Sequence, residues 1–108
     1  MHGSKILILG VSYKAGVGDT RESPALKIAK LLRELGGEVS YHDPHVSELP
    51  DLELSSTDLE QGLREADAVA IVTAHPEFDY EQIVAGASLV IDLRGVTRDI
   101  DAPNLVRL

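Results

Sequence analysis

The sequence predicts an α/β fold: a single domain built on an open, mostly parallel sheet with helices on both faces. Two observations predict it. Short aliphatic runs alternate with amphipathic segments along the chain, as in sheets whose parallel strands are joined by right-handed helical crossovers. The first run, residues 5–11, is aliphatic without polar alternation. That pattern is typical of a strand buried on both faces, so we expect it near the centre of the sheet.

The first helix has the clearest predicted boundaries. Ser23 offers an N-cap hydroxyl, Pro24 suits the first helical position, and Gly36-Gly37 ends the helix. Apolar residues recur between these limits at the i, i+3, i+4 and i+7 positions of one helix face, namely Ile28, Leu31, Leu32 and Leu35. This spacing is typical of one face of a helix.

The other elements are shorter. We predict strands over 38–42, 68–73 and 88–92, an edge strand within 104–108, and a loop over 45–56. The capping-box spacing of Thr57 and Glu60 predicts a short helix, and residues 76–85 predict another. Residues 1–4 are polar and patternless, as in a native start or a cloning remnant, so the domain is predicted to occupy residues 5–108.

Composition excludes several classes of function. The chain has 108 residues, 18 acidic and 10 basic, for a net charge of −8, and this balance disfavours nucleic acid and anionic membranes as partners. An anionic ligand should therefore be small and met by a few local cations. With no cysteine, the chain itself has no disulfide, thiolate metal site or cysteine nucleophile. No apolar run is long enough for a membrane span or a secretory segment, so we expect a cytoplasmic protein.

Ligands of parallel sheets bind at the carboxyl ends of the strands, which directs attention to the loop after the first strand. Residues 10–24 contain three glycines, Lys14 and Arg21 and precede a helix N-terminus that favours anions. The glycine spacing does not fit the G-x-G-x-x-G fingerprint, and no P-loop is present. The loop is either an anion cradle or an ordinary turn with solvated charges.

Polar residues after the other strands also have two interpretations. Asp43 could bind a ribose hydroxyl, but Asp before Pro is more often a turn element. His42, His45 and His75 lack metal-ligand spacing, so surface or capping roles are favoured and no metal is predicted. Arg94 could pair with a phosphate or form a salt bridge with Asp92 or Asp19. No nucleophile, histidine and carboxylate arrangement stands out, and no catalytic residue is predicted.

Several segments in order resemble one family. They are Ser-Tyr-Lys (12–14), Gly-Asp-Thr-Arg-Glu-Ser-Pro-Ala (18–25), His-Asp-Pro-His-Val (42–46), Thr-Ala-His-Pro-Glu-Phe-Asp-Tyr (73–80) and Ile-Asp-Leu-Arg-Gly-Val (91–96). Together they look like the C-terminal, UDP-binding domain of the UDP-glucose/GDP-mannose (nucleotide-sugar) dehydrogenase family. Within it, the chain most resembles the UDP-N-acetylglucosamine 6-dehydrogenase branch, followed by UDP-glucose and then UDP-N-acetylmannosamine dehydrogenases.

The resemblance implies a larger enzyme of two Rossmann-like domains joined by a long helix, a homodimer or larger assembly, with a role in polysaccharide biosynthesis. Such an enzyme oxidises the C6 alcohol of a UDP-sugar twice, with two NAD⁺, to a uronic acid. NAD is bound mainly by an N-terminal domain, and a mid-chain cysteine carries the covalent chemistry. A chain without these parts is expected to bind UDP-sugar and to be inactive alone.

The resemblance also assigns roles to individual residues. Tyr13, Lys14 and Arg94 match substrate-binding positions, and Arg21 matches an arginine that reaches NAD. Gly18-Asp19 stands where Asp-Asp is common and Leu93 where Thr or Gly is usual, but neither departure removes a cation. Glu22, Ser23 and Pro24 are interpreted as the structural start of the helix. The alternative function is a stand-alone Rossmann-like assembly or nucleotide-binding module without dehydrogenase activity.

Overall fold

The computed structural model describes residues 3–12 and 23–107. In chain order the elements are β1 (Lys5–Leu9), α1 (Pro24–Glu34), β2 (Glu38–His42), β3 (Glu48–Leu49), a 3₁₀ turn (Pro50–Leu52), β4 (Leu54–Ser55), α2 (Leu59–Glu65), β5 (Ala68–Ile71), α3 (Tyr80–Gly86), β6 (Val90–Asp92) and β7 (Leu105–Arg107). The main sheet has the order β2-β1-β5-β6-β7, and all of its neighbouring pairs are parallel. The remaining two strands, β3 and β4, form an antiparallel hairpin.

Alternate residues of β1 enter two separate cores, one on each face of the sheet. Leu7 and Leu9 pack into the core that holds Leu63 of α2 and Ile83 of α3. Ile8 packs into the opposite core with residues of α1. This alternation follows from the two-residue period of a strand, and it confirms the prediction of a central first strand with helices on both faces.

Helix α1 begins as its sequence predicts, because the Ser23 hydroxyl accepts a hydrogen bond from the Ala25 N–H at 3.2 Å. Its buried face consists of small side chains. The buried positions are Ala25 and Ala29, whereas Leu31 and Leu35 are 56% and 57% exposed. Small side chains at the contact allow a helix backbone to lie close to a sheet, so the sheet covers the alanine line and leaves part of the wider aliphatic stripe uncovered.

Three further local predictions need correction. The predicted loop over 45–56 contains the β3–β4 hairpin and its 3₁₀ turn. Helix α2 is capped by Asp58 rather than Thr57, since the Asp58 carboxylate accepts the Gln61 N–H at 3.1 Å. Helix α3 begins at Tyr80 rather than near residue 76, because Asp79 is its N-cap and accepts the Gln82 N–H at 3.2 Å.

The strand order defines where a ligand would bind. Strands β2 and β5 lie on opposite sides of β1, so the chain's winding reverses there and opens a crevice at the carboxyl ends of β1 and β5. Gly10, at the end of β1, has φ +82°, and a Cβ there would lie 2.3 Å from the Thr73 carbonyl oxygen after β5. Glycine therefore lets the two strand ends approach at this crevice. Within the described ranges, no helix is long and apolar enough to cross a bilayer.

Candidate functional site

The carboxyl ends of β1, β2 and β5 are joined through one buried carboxylate, that of Asp43. Its Oδ2 accepts hydrogen bonds from the N–H of Val11 at 2.8 Å and of Ser12 at 3.3 Å. The same oxygen lies 2.8 Å from His75 Nε2, and Oδ1 accepts the His45 N–H at 2.7 Å. Asp43 thus fixes the positions of three strand ends at the ligand edge of the sheet.

His75 is the second part of this cluster and is completely buried. His75 Nε2 lies 2.8 Å from Asp43 Oδ2 and 3.2 Å from Ser12 Oγ. A carboxylate only accepts hydrogen bonds, so the tautomer with hydrogen on Nε2 is the one that can donate to Asp43. The prediction of a surface or capping role is wrong for His75. A signal was present in the sequence, because Ser12, Asp43 and His75 each follow a predicted strand, but strand order was needed to bring them together.

The structure favours the interpretation of Asp43 as a turn element over its interpretation as a ligand of a ribose hydroxyl. It is 2% exposed and already accepts main-chain N–H groups on both oxygens, so a ribose hydroxyl would have to displace them. A dinucleotide fold needs this carboxylate to face its ligand. The described residues at this sheet edge therefore do not fit NAD, and we derive no chemical step through it on this chain.

Asp92, at the end of β6, organises a second loop at the same edge. Its Oδ1 accepts the N–H groups of Arg94 at 2.9 Å and Gly95 at 2.8 Å. Its Oδ2 accepts the Thr97 N–H at 3.0 Å and hydroxyl at 2.6 Å. Burial raises the pKa of this carboxyl, but the hydrogen bonds from Thr97 and the main chain outweigh burial and hold the pKa below its ordinary value of 3.8.

This loop places Arg94 at the carboxyl end of β6 with its side chain exposed. Asp92 accepts the main-chain N–H of Arg94. Across the described ranges, no carboxylate lies within ion-pair distance of the Arg94 guanidinium. The predicted salt bridge between Arg94 and Asp92 is therefore not formed. Asp19, the other predicted partner of Arg94, lies outside the described residues. Arg94 offers a cation at the ligand edge.

Three predicted site residues, Tyr13, Lys14 and Arg21, lie outside the described residues. Their neighbours in the chain are described. Ser12 and Ser23 stand on either side of that segment, and the Ser23 hydroxyl donates to the Ser12 carbonyl oxygen at 3.5 Å. The roles of the three residues stay predictions, but the two ends of the segment that carries them meet at the ligand edge.

The fold brings together a group of possible metal ligands that sequence spacing does not reveal. His45, His75 and Glu77 offer nitrogen and oxygen atoms within 4.8 Å of one another. His45 Nε2 lies 2.5 Å from Glu77 Oε2, a direct contact that is shorter than the separation of two ligand atoms around one zinc ion. This direct contact and the Asp43–His75 hydrogen bond account for the proximity of the three side chains. The absence of a metal stays a prediction.

Two grooves lie away from this edge. One, of about 490 Å³, lies between α3 and the segment before β7 and is lined by Glu81, Asp99 and Asp101. The other, of about 280 Å³, lies at the amino ends of β1 and β2 and includes Lys5 and Glu38. The acidic lining of the first is unsuited to a diphosphate, and neither lies where parallel sheets bind ligands. We therefore place the candidate site at the loops that follow the carboxyl ends of the strands.

The parallel sheet, its switch point and the polar loops at its carboxyl edge define a Rossmann-like domain. Comparison with known proteins identifies the family within this class. Residues 7–99 match the UDP-binding domain of the UDP-glucose/GDP-mannose dehydrogenase family. The chain belongs to this family.

Individual relatives agree with the family. The chain is 37% identical over 99 residues to the UDP-N-acetyl-D-mannosamine dehydrogenase of Pyrococcus horikoshii, covering 87% of this chain and 22% of the relative. It is 31% identical over 107 residues to the UDP-glucose 6-dehydrogenase of Rhizobium meliloti, covering 91% and 24%. The crystal structure of an NDP-N-acetyl-D-galactosaminuronic acid dehydrogenase from Methanosarcina mazei superposes with a TM-score of 0.79 at 26% identity, covering 99% and 24%. The chain spans about a quarter of the length of these proteins.

Proposed function

We propose that this chain is the UDP-sugar-binding part, residues 5–108, of an NAD-dependent nucleotide-sugar 6-dehydrogenase. The observation that carries the proposal is the match of residues 7–99 to the family's UDP-binding domain. The placement of Arg94 at the carboxyl end of β6 supports it.

The physical chemistry of the site supports a diphosphate ligand. The chain as a whole has a net charge of −8, so an anionic ligand needs a local concentration of cations. Arg94 offers a guanidinium that can pair bidentately with a phosphate, and we propose Tyr13 and Lys14 as the other substrate contacts. Lys14 follows Ser12 by two positions, and Ser12 lies at the switch-point crevice.

The proposed reaction of the whole enzyme is two successive oxidations at C6 of the sugar. The alcohol would become an aldehyde and then, with addition of water, a carboxylic acid, and NAD⁺ held by the rest of the enzyme would supply the oxidant for both oxidations. This chain has no cysteine, so the nucleophile comes from another part of the enzyme. We propose that NAD is bound mainly by an N-terminal domain, that Arg21 reaches it, and that this chain alone is inactive.

The sugar, the assembly and the location are further proposals. The motif resemblance favours UDP-N-acetylglucosamine, whereas the relatives named above are dehydrogenases of UDP-N-acetyl-D-mannosamine and of UDP-glucose. We propose a homodimer of the full enzyme, in the cytoplasm. Competition between UDP and each of these three UDP-sugars for this chain would rank the sugars, with GDP as the test of base specificity.

Titration of the 108-residue chain with UDP, followed by backbone NMR shifts, tests the proposal. We expect shifts at Lys14 and around Arg94 at millimolar UDP, with weak affinity because half of a cleft makes only part of the contacts. UDP should also raise the melting temperature, and Arg94→Ala should abolish this rise.

The matched control is Arg64→Ala, which removes an exposed arginine from the last turn of α2 and should leave the UDP response unchanged. Absence of any shift near Lys14 or Arg94 at millimolar UDP would contradict the proposed binding role. An assembly module that leaves its cleft unused would then be the better description, and Arg94→Ala would leave its self-association unchanged.

A further inference from the structure

The loop between β6 and β7 carries a second exposed arginine, Arg98, four positions after Arg94. The motif on which the family resemblance depends, residues 91–96, ends before it. Neither the motif nor the hydrophobic pattern gives Arg98 a role, so its role depends on where the fold places its guanidinium.

This loop lies at the ligand edge of the sheet, beside the end of β5. The Leu93 N–H donates to the Ile71 carbonyl oxygen, the last residue of β5, at 3.3 Å. Farther along the loop, Val96 and Ile100 pack against the core that includes residues of α2 and α3. The two arginines of the loop are exposed, so the loop is anchored through its apolar residues and presents its cations to solvent.

The guanidinium of Arg98 lies against Gly95, the residue that directly follows Arg94. Its Nε and Nη2 atoms each lie 3.8 Å from the position that a Cβ on Gly95 would take. The Gly95 N–H is itself bound by the Asp92 carboxylate at 2.8 Å. The contact therefore places a second guanidinium next to Arg94, on a part of the loop that Asp92 holds in position.

Arg98 differs from Arg107 of β7, which also belongs to this edge. The Arg107 guanidinium donates to the carbonyl oxygens of Thr97, at 2.8 Å, and of Ile100, so its donors are used to hold the loop. No group in the described ranges forms a hydrogen bond or an ion pair with the Arg98 guanidinium. A guanidinium presents N–H donors in a planar fork that matches two oxygens of a phosphate, and within these ranges those of Arg98 are available to a ligand.

We propose that Arg98 is a second phosphate-binding residue of the UDP site, and that Arg94 and Arg98 together bind the two phosphates of the nucleoside diphosphate. The inference rests on the proposed function, because it concerns the same site. One guanidinium pairs bidentately with one phosphate, so a diphosphate has oxygens for two. In a chain with a net charge of −8, two neighbouring cations on one loop provide the local positive charge that this ligand needs.

The experiment compares the affinities of the full 108-residue chain for UDP and for UMP, which lacks the second phosphate, by NMR titration. We expect the parent chain to bind UDP about tenfold more tightly than UMP. Arg98→Ala should weaken UDP binding by about tenfold and change UMP binding by less than about twofold. Arg98→Lys keeps the charge but not the planar fork, and we expect it to bind UDP about threefold more weakly than the parent chain.

Arg64→Ala is the matched control, because it also removes one exposed arginine, from the last turn of α2. It changes the net charge as Arg98→Ala does, and we expect it to leave the affinities for both nucleotides unchanged. Without ligand, Arg98→Ala should melt at the temperature of the parent chain, since substitution of an exposed side chain changes stability little.

The outcomes separate the two proposals. If the parent chain binds neither nucleotide at millimolar concentration, the proposed function is wrong and this inference falls with it. If the parent chain binds UDP and Arg98→Ala binds it equally well, the role of Arg98 alone is wrong. An equal loss of UDP and UMP affinity in Arg98→Ala would also overturn the proposal, because Arg98 would then act without contacting the second phosphate.

Discussion

The Thr97 hydroxyl donates a 2.6 Å hydrogen bond to the Asp92 carboxylate, and both residues are fully buried. Because the hydrogen bonds on Asp92 hold its pKa below 3.8, the ionised carboxylate stabilises the folded state above that value. The stabilisation is lost as the pH falls through the lower, folded-state pKa. We predict that Asp92→Asn lowers the free energy of unfolding at pH 7 by about 1–3 kcal/mol.

Urea denaturation between pH 7 and pH 3 measures this effect. The stability difference between the parent chain and Asp92→Asn should be constant near neutrality and shrink in acid, since protonated Asp92 and the amide are both uncharged. Thr97→Val removes one donor to the carboxylate and should show a smaller loss of stability with the same dependence on pH. A difference that stays constant down to pH 3 would contradict the assigned cause.

Gly10 has almost no room for a side chain. Its φ of +82° disfavours other residues, and a Cβ would lie 2.3 Å from the Thr73 carbonyl oxygen. We predict that Gly10→Ala lowers the free energy of unfolding by about 2–4 kcal/mol, the sum of backbone strain and overpacking. Gly3→Ala is the control: Gly3 also has positive φ but no atom within 4 Å of the Cβ position, so it should lose only about 1 kcal/mol.

Ionisation of the Tyr41 phenol should lower the free energy of unfolding in alkaline solution. Burial, followed by the negative charges of Asp43 and Glu48, raises its pKa to about 12. A raised pKa gives stability that is fully present below pH 10 and is lost as the pH rises through 12. Tyr41→Phe removes the hydrogen bond to the Val46 carbonyl oxygen and should cost about 1 kcal/mol at pH 7.

The measurement is a spectrophotometric titration of the tyrosines with parallel unfolding curves. Burial also raises the pKa of Tyr80 to about 12, so two phenols should ionise late in the parent chain and one in Tyr41→Phe. Tyr80→Phe is the matched control. A Tyr41 phenol that ionises near pH 10 while the chain is still folded would show that burial does not protect it.

The architecture could be predicted because it depends on local patterns. Unalternated strands and a capped helix specify a parallel sheet with crossovers, and the chain has both at 5–9 and 23–34. The candidate site could be predicted only in part. Arg94 comes two residues after β6, so its place at this edge could be predicted, and its binding role stays a prediction. The link between Ser12, Asp43 and His75 depends on strand order, which brings together residues 31 to 63 positions apart. No periodicity in the sequence contains that information.

The buried face of α1 is a part of the fold that helical spacing does not determine. Helical spacing shows which residues share a face but not how closely the helix approaches its neighbour, and that distance is set by the smallest side chains at the contact. Ala25 and Ala29 lie at the contact, while Leu31 and Leu35 are more than half exposed. The largest apolar residues of a helix are therefore not always the ones that its sheet covers.

The exposure of Leu31 and the burial of Ala29 lead to a prediction about stability that is opposite to the one that side-chain size alone would give. Leu31→Lys should change the free energy of unfolding by less than about 0.5 kcal/mol, because the side chain is already 56% exposed. Ala29→Leu, which adds apolar surface at a position 1% exposed, should lower it by about 1–3 kcal/mol through overpacking against the sheet. Thermal and urea denaturation of the two variants measure these changes in the free energy of unfolding. A large loss in Leu31→Lys would mean that another surface covers this helix face in solution.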